Sequence, residues 1–463
     1  MFGIKSMASK GLNIIIVGGG KVGATLVEAL STEGHDVTIV DSNRDVITEM
    51  ANLYDVMGVE GNGASYMVLR EAGLEDCDLI VAVTESDELN LLCCTIAGRS
   101  GKCATVARVR TPEYMRDVGY LRDKLGLTLI INPDLETAEE MTRILCLPNA
   151  LDVSSFAHGQ AEMVRFKLEE GNQLIGKSVM ECGTETFSEL LICGVERKEE
   201  LCIPNGSFVM EQNDIVTIVA SRTNVREFFK KIGNVSRQVK DVMIVGGGKT
   251  TYYLGQSMIR RGISVKIIEK DKQKCDLLSI LMPKAIIING DGTDQELLIE
   301  EGIEYVESFI PLTGIDEENI MLTLFAKQVS NAKVITKINR MTFKNVINQL
   351  DLGSVIFPRI LTSEKIIAYA RAKNNSKNDN IETLRHLFDS RAEAIEFRVD
   401  EASVITAKPI RELKLKKNVL ICSIYRRGKF IIPSGSDQIN LGDNVIVVTT
   451  HSGFEDIKDI LER

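Results

Sequence analysis

The sequence predicts an α/β chain in which two doubly wound parallel-sheet domains are each followed by a small α+β lobe. Short β-rich apolar runs alternate with helix-patterned segments, a glycine turn separates the first run from the first helix, and the arrangement occurs twice.

The repeat sets the domain count. Gly18-Gly19-Gly20-Lys21 recurs as Gly246-Gly247-Gly248-Lys249, and Asp41 recurs as Glu269, both at an offset of 228. Gly61-Asn62-Gly63 matches Gly290-Asp291-Gly292, and Thr84, Asp87 and Asn90 match Thr313, Asp316 and Asn319, all at 229. Pro204-Asn205-Gly206 and Pro433-Ser434-Gly435 keep the same 229. Dividing the length by about 150 residues per domain suggests about three domains. Two periods of 229 instead use nearly all of the 463 residues, which excludes a short-period solenoid.

In the first period, Asn13 to Val17 is too short for a helix and reads as a strand, followed by a glycine turn and a helix over Val22 to Leu30. Val37 to Val40, Leu79 to Val83 and Thr105 to Val109 read as further buried strands, with a helix over Glu88 to Ala97. The copy supplies strands at Val242 to Val245, Val265 to Ile268, Phe309 to Leu312 and Val334 to Ile338. Strands alternating with helices imply right-handed crossovers and a parallel sheet. Connecting helices are expected at Leu135 to Leu147 and Ile360 to Ala372, the second leading into a polar hinge at Lys373 to Asn380. The expected segments are sheet domain 12–133, connecting helix 134–150, lobe 151–232, sheet domain 240–358, connecting helix and hinge 359–390, and lobe 391–463. The alternating stretches Val216 to Val219 and Val445 to Val448 read as core strands of the lobes, with a dimer surface as the other reading.

Composition narrows the function. A net charge of −10 and a pI near 5.3 oppose a nucleic-acid role, since phosphate contacts need a basic face. A mean hydropathy of +0.02 with 44% hydrophobic and 26% charged residues is ordinary for a globular protein. No run approaches the roughly 18 apolar residues of a membrane helix, and the first residues, MFGIKSMASKG, lack the apolar core of a signal peptide. A soluble protein that stays in the cytoplasm is expected. The ten cysteines form no CxxC pair, which predicts reduced, mostly buried thiols over a disulfide framework or zinc site.

The chemistry concentrates in Gly18-Gly19-Gly20-Lys21-Val22-Gly23, a GxGxxG placed between a strand and a helix. Gly18 permits the tight turn, Gly20 lets a pyrophosphate approach the backbone, and Gly23 permits close helix packing, while the helix amino terminus offers free N–H groups. Asp41 ends the next strand 21 residues after Gly20, where a carboxylate accepts from both ribose hydroxyls and repels a 2′-phosphate. These features predict a Rossmann-like domain binding NAD or an adenosine phosphate in preference to NADP. The second copy keeps Gly246 and Gly248 but has Thr251 at the third glycine position, so its site is altered or weaker. Gly248-Lys249-Thr250 is not a Walker A loop, because that motif needs glycine where Met243 stands.

Two copies of glycine loop, acidic strand end, GNG or GDG loop, TxxDxxN and basic strand, each with a small lobe, resemble the tandem regulator-of-potassium-conductance family, to which the regulatory subunits of Trk potassium-uptake systems belong. The resemblance covers residues 12 to 463. It implies a homo-oligomer, a tetrameric ring, on the cytoplasmic face of an integral membrane potassium translocator of the Trk type. It also implies binding of NAD(H) or ATP and ADP, regulation of transport, and no catalytic residues, metal site or nucleic-acid partner. Carried over by position, Gly18, Gly19, Gly20, Lys21, Val22 and Gly23 hold phosphates and Asp41 the ribose, Asn62 lies near the adenine, and Thr84, Glu85 and Arg108 stand at the sheet crest. The family usually has Asp where Asn62 stands. The second set is Gly246, Gly247, Gly248, Lys249, Thr250, Glu269, Asp291, Thr313 and Lys337, with Lys337 replacing Arg108 and losing its planar fork.

Other readings stand beside this one. An NAD-dependent oxidoreductase needs an acid or base beside the nicotinamide, and the lobes show no evident His, Lys or Tyr constellation. Regulation of a different cation channel or antiporter would use the same ligand chemistry. Asp87, Asn90, Asp316 and Asn319 read as helix caps or starts, and Cys93-Cys94 as core packing. His35, His158, His386 and His451 read as solvated or locally bonded.

Overall fold

Asn13–Val17 forms strand β1, and Gly18 then turns with φ +103°, a left-handed conformation that favours glycine. The computed structural model describes residues 11–147, 149–185, 189–198, 200–232, 239–340, 344–347, 349–374, 380–388 and 390–462. Strands β2 (Asp36–Asp41), β3 (Met57–Glu60), β4 (Leu79–Ala82), β5 (Ala104–Arg108) and β6 (Leu129–Ile131) complete a parallel sheet in the order β3-β2-β1-β4-β5-β6. Val17 lies opposite Val40 on one side and Ala82 on the other, so the strand order reverses at β1 and β4. Such a switch point opens a crevice at the carboxyl ends of the strands. Every residue of β4 and β5 is buried, as expected for a sheet covered on both faces. The helix Asp87–Ser100 covers one face through Cys93, Cys94 and Ala97, so the paired thiols are core residues as expected.

The first lobe is an antiparallel sheet of β7 (Asp152–Phe156), β8 (Ala161–Lys167), β9 (Leu190–Arg197), β10 (Glu200–Cys202) and β11 (Ile215–Ser221), ordered β10-β9-β11-β8-β7. The second parallel sheet follows as β12 (Asp241–Val245), β13 (Ser264–Glu269), β14 (Ile286–Asn289), β15 (Ser308–Pro311), β16 (Lys333–Lys337) and β17 (Ser354–Ile356), ordered β14-β13-β12-β15-β16-β17. The second lobe, β18 (Ile381–Leu387), β19 (Ala392–Arg398), β20 (Val419–Arg426), β21 (Lys429–Ile431) and β22 (Asn444–Thr449), has the order β18-β19-β22-β20-β21, which is the first lobe's order read from the β7 edge. Val216–Val219 and Val445–Val448 lie on the central strands β11 and β22 and are buried, as their alternation predicts. Val219, Ile446 and Val448 also join a single apolar cluster shared by the two lobes of the chain.

The connecting helices run Pro133–Cys146 and Pro358–Asn374. Two compact units result, one from the described residues of 1–136 and 359–379 and the other from those of 137–358 and 380–463. Thus the second period's connecting helix is grouped with the first sheet domain, and most of the first period's helix with the second. In the first unit, Arg371 of the Pro358–Asn374 helix lays its guanidinium on both oxygens of Glu33, and Lys365 Nζ donates to Glu136 at 2.7 Å. In the second unit, Thr142 Oγ1 of the Pro133–Cys146 helix meets Ser257 Oγ at 3.2 Å. Spacing along the chain gave no sign of this exchange. Of the expected polar hinge, Lys373 and Asn374 are helical and 375–379 lie outside the described residues.

Eight of the ten cysteines are buried, Cys146 is half-buried and Cys202 is exposed. Among the described residues no helix is long and apolar enough to cross a membrane.

Candidate functional site

The carboxyl ends of β1, β2, β4 and β5 bring most of the first predicted set together. The helix Lys21–Thr32 begins after Gly20 with no side-chain cap and no acidic residue in its first turn, so its leading N–H groups remain open to an anion. By contrast, Asn43 caps Arg44–Tyr54 and Ser86 caps Asp87–Ser100. A Cβ on Gly20 would have nothing within 4 Å, so the protein leaves the face of that residue clear. A Cβ on Gly23 would stand 1.9 Å from the Gly18 carbonyl oxygen, so glycine is required for this helix to pack on this turn.

Asp41 is held ready. Its Oδ2 accepts from Gly19 N at 2.7 Å and its Oδ1 from Asn43 N at 2.8 Å, which fixes the carboxylate beside the glycine loop with lone pairs to spare. Asn62 follows Gly61, whose N donates to the Asp41 carbonyl at 2.8 Å, and the Asn62 Oδ1 accepts from Ala64 N at 2.9 Å. Asp291 makes the matching bond to Thr293 N at 2.9 Å. Asn and Asp therefore serve the same local turn here, and the departure from the family's usual Asp costs that turn nothing.

Thr84 follows β4 and abuts Gly18, while Glu85 is exposed beside it. Arg108 ends β5, is buried, and donates through Nη2 to the Thr84 carbonyl; its buried Nε has no hydrogen-bond partner. Burial, with the neighbouring Arg110 charge, lowers the Arg108 pKa from its usual value. An incompletely satisfied, buried guanidinium next to an open helix terminus suits an anionic ligand. Lys21 is exposed and Val22 half-buried at the head of the helix.

Asp87 and Asp316 start their helices as expected, and the TxxDxxN residues also do more. Asn90 is buried, accepts from Thr84 N at 2.8 Å and Thr84 Oγ1 at 2.7 Å, and donates to the carbonyls of Thr84 at 3.0 Å and Arg108 at 2.9 Å. Asp87 starts its helix, but Ser86 is the cap; Asp87 Oδ2 instead accepts from Arg110 N and Thr111 N at 2.9 and 2.7 Å. Together they tie the crests of β4 and β5. Asn319 and Asp316 do the same in the second period, bonding Thr313 N, Lys337 O, Asn339 N and Arg340 N. Arg110 was not singled out in the sequence; its Nε pairs with Asp134 at 2.7 Å, a contact 24 residues apart that no local spacing signals.

The second set assembles in the same way around β12, β13 and β15. Helix Lys249–Arg260, carrying Lys249 and Thr250 in its first turn, again lacks a side-chain cap at Gly248 and acidic residues in that turn. Gly247 N donates to Glu269 Oε2 at 2.5 Å and Asp271 N to Oε1 at 2.8 Å, and Thr313 abuts Gly246. Thr251 is the divergence expected from the sequence. It is buried, and its hydroxyl donates to the Gly246 carbonyl at 2.6 Å, so a side chain fills the contact that Gly23 leaves bare. Lys337 is half-buried at the end of β16.

His35 is buried rather than solvated and accepts from Leu12 N at 3.1 Å, and His451 Nε2 meets the Lys417 carbonyl at 2.9 Å. His386 faces Glu393 at 3.7 Å, and the side chain of His158 lies outside the described residues.

Models of the TrkA-N domain match residues 14–133 and 242–358, and models of the TrkA-C domain match 163–233 and 394–462. The chain belongs to the TrkA family. It is 31% identical to the Trk system potassium uptake protein TrkA of Haemophilus influenzae, across 94% of this chain and 95% of that one. It is 30% identical to TrkA homolog 1 of Methanosarcina mazei, across 96% and 99% of the two chains. Among solved structures it resembles the GsuK channel bound to NAD, with a TM-score of 0.63 and 18% identity over 98% of this chain and 80% of that one. The GsuK RCK domain matches with a TM-score of 0.63 and 18% identity over 97% and 94% of the chains. At that identity the likeness speaks for the fold. The TrkA-type architecture, with two tandem nucleotide-fold domains and two antiparallel lobes, is the one that the periods of 229 predict.

Proposed function

We propose that this chain is a non-catalytic regulatory subunit of a potassium uptake system, binding NAD(H) or ATP and ADP and gating a Trk-type integral membrane potassium translocator. The observation that carries the reading is the pair of uncapped helix termini, each facing a carboxylate already fixed by glycine-loop N–H groups. Phosphates sit on the helix terminus and the ribose on Asp41 or Glu269. The ligand contacts are assigned to Gly18 through Gly23, Asp41, Asn62, Thr84, Glu85 and Arg108, and to Gly246 through Thr250, Glu269, Asp291, Thr313 and Lys337. A nucleotide with different affinity for two arrangements of the chain shifts their populations, and the subunit passes that bias to its membrane partner. The subunit works in the cytoplasm as a tetrameric ring, peripheral to the inner face of the plasma membrane. Support for self-association comes from Leu92 and Met321, which stand 229 apart on matching helices and are 50% and 65% exposed. The Haemophilus relative is named for potassium uptake, and the GsuK structure is described as bound to NAD.

Calorimetric titration of the full chain with NAD, NADH, ATP and ADP tests the ligand assignment. Asp41→Ala removes a charged acceptor worth about 1.5–3 kcal/mol, so affinity falls about 10- to 150-fold. Unchanged affinity refutes the ribose role. Copurification from membranes identifies the partner, and steady hydride transfer to a small-molecule substrate would overturn the non-catalytic reading.

A further inference from the structure

The two lobes share one apolar cluster, which contains Phe156, Ala157, Met163, Cys193 and Val219 from the first and Leu387, Phe388, Ala394, Cys422 and Val448 from the second. Cys193 and Cys422 stand 229 apart in sequence, on the equivalent strands β9 and β20, and their thiols meet. A pseudo-twofold relation between the lobes therefore passes close to these two sulfurs. Pairs of related lobes pose a choice. With two copies of the chain present, a first lobe has a second lobe and another first lobe as candidate partners, because the sheets are built alike.

The contact is not symmetric. Phe388 sits in the β18–β19 turn with φ +52°, and its equivalent in the β7–β8 turn, 231 residues earlier, is Ala157 with φ +49°. The backbone is alike at both positions, and only the side chain differs. The Phe388 ring lies against Gly194 of the first lobe, so closely that a Cβ on Gly194 would stand 2.6 Å from its Cζ. The equivalent of Gly194, 229 residues on, is Ser423. A knob on the second lobe thus meets a hole on the first, and the other side of the twofold holds a small residue at each matching position. Charge follows the same direction. Arg391 of the second lobe donates to Glu196 of the first at 2.8 Å, and Arg165 of the first lobe holds the other Glu196 oxygen at 2.7 Å. The equivalents of Arg391 and Glu196 are Gln160 and Tyr425, so the ion pair occurs once.

We propose that Phe388 and Arg391 on the second lobe, with Gly194 and Glu196 on the first, form a directional key that pairs each first lobe with a second lobe and bars pairing of like lobes between copies of the chain. Two first lobes facing each other would set Ala157 over Gly194, leaving a void, and would leave Glu196 facing Gln160. Two second lobes would drive Phe388 against Ser423 and leave Arg391 without its carboxylate. Each like pairing loses packing and an ion pair, whereas the unlike pairing keeps both.

The cysteines provide the readout. The full chain is treated with a mild thiol oxidant, digested without reduction, and its linked peptides are quantified by mass spectrometry. A Cys193–Cys193 or Cys422–Cys422 link can come only from two chains. Wild type is expected to give the Cys193–Cys422 link in a species migrating as one chain, with like links at under a tenth of its yield. In Phe388→Ala with Arg391→Gln, which gives the second lobe the first lobe's residues, the share of like links should rise at least tenfold. Like links as abundant as Cys193–Cys422 in wild type, or an unchanged share in the variant, would overturn the key. Thermal melting supplies an independent arm. Gly194→Ala alone should lower the melting temperature, and adding Phe388→Ala to it should cost less than Phe388→Ala costs in the wild-type background, because the clash is then gone. Purely additive losses would show that Phe388 and Gly194 are not a matched pair.

Discussion

Replacing Arg371 by Ala should loosen the second connecting helix from the first unit. Arg371 is 2% exposed; its Nε reaches both Glu33 oxygens at 3.0 Å and its Nη2 reaches Oε1 at 2.5 Å. Removing one member of a buried pair costs about 3–5 kcal/mol. The Glu33 side chain retains 18% exposure, and water admitted there puts the loss at the lower end, about 3 kcal/mol. If helix opening becomes easier by about 3 kcal/mol, the open population rises roughly 150-fold. Hydrogen exchange followed by mass spectrometry reads this directly. Amides of 359–374 should exchange about two orders of magnitude faster, and those of β19 and β22 in the second unit should not change. Pairing Arg371→Met with Glu33→Leu should restore much of the protection, since an apolar pair replaces a buried ionic one at little cost. Unchanged exchange in the single variant, or a double variant no slower than the single, would refute the reasoning.

Gly23→Ala places a Cβ 1.9 Å from the Gly18 oxygen; overpacking of this kind costs about 1–3 kcal/mol, and nucleotide titration should show a weakened first site. Asn90→Ala strips the partners from Thr84 N and the Arg108 carbonyl, and at about 1–3 kcal/mol per orphaned group it should lower the melting temperature and weaken first-site binding together. Burial, the Glu140 carboxylate beside it and only partial relief from Arg165 and Arg385 push the Asp152 pKa up to about 7. Because the folded state holds that proton more tightly than the unfolded chain, Asp152 contributes a stability that is full in acid and lost as pH rises toward about 7. Asp152→Asn should therefore gain on wild type in melting temperature at pH 8, with the gap closing toward pH 4; a constant gap would count against the shift.

The parts legible in the sequence were those fixed by local rules. The Gly18, Gly20 and Gly23 spacing sets a turn and a helix start within six residues, and uniformly apolar strands such as Leu79–Ala82 announce a sheet covered on both faces. The repeat made the second domain readable from the first. Asp87 starts its helix as expected, but its bonds to Arg110 N and Thr111 N, up to 24 residues away just past β5, and the bond of Asn90 to the Arg108 carbonyl at the end of β5 were hidden, because an Asp or Asn near a helix start usually bonds locally. Alternation in Val216–Val219 shows that one face is covered but not by what, so the lobe-to-lobe cluster was invisible beforehand. The exchange of connecting helices was equally hidden, because Arg371 and Glu33 are 338 residues apart.

That exchange bears on how the chain can be divided. A cut at the centre of the sequence, between the two periods, would split the helix from the domain it completes: residues 359–374 would leave with one fragment and the surface around Glu33 with the other. A half-length product would need a second molecule to supply its missing helix, and its folding rate would then depend on concentration. In the full chain the same step is unimolecular, because the polypeptide itself keeps donor and acceptor together.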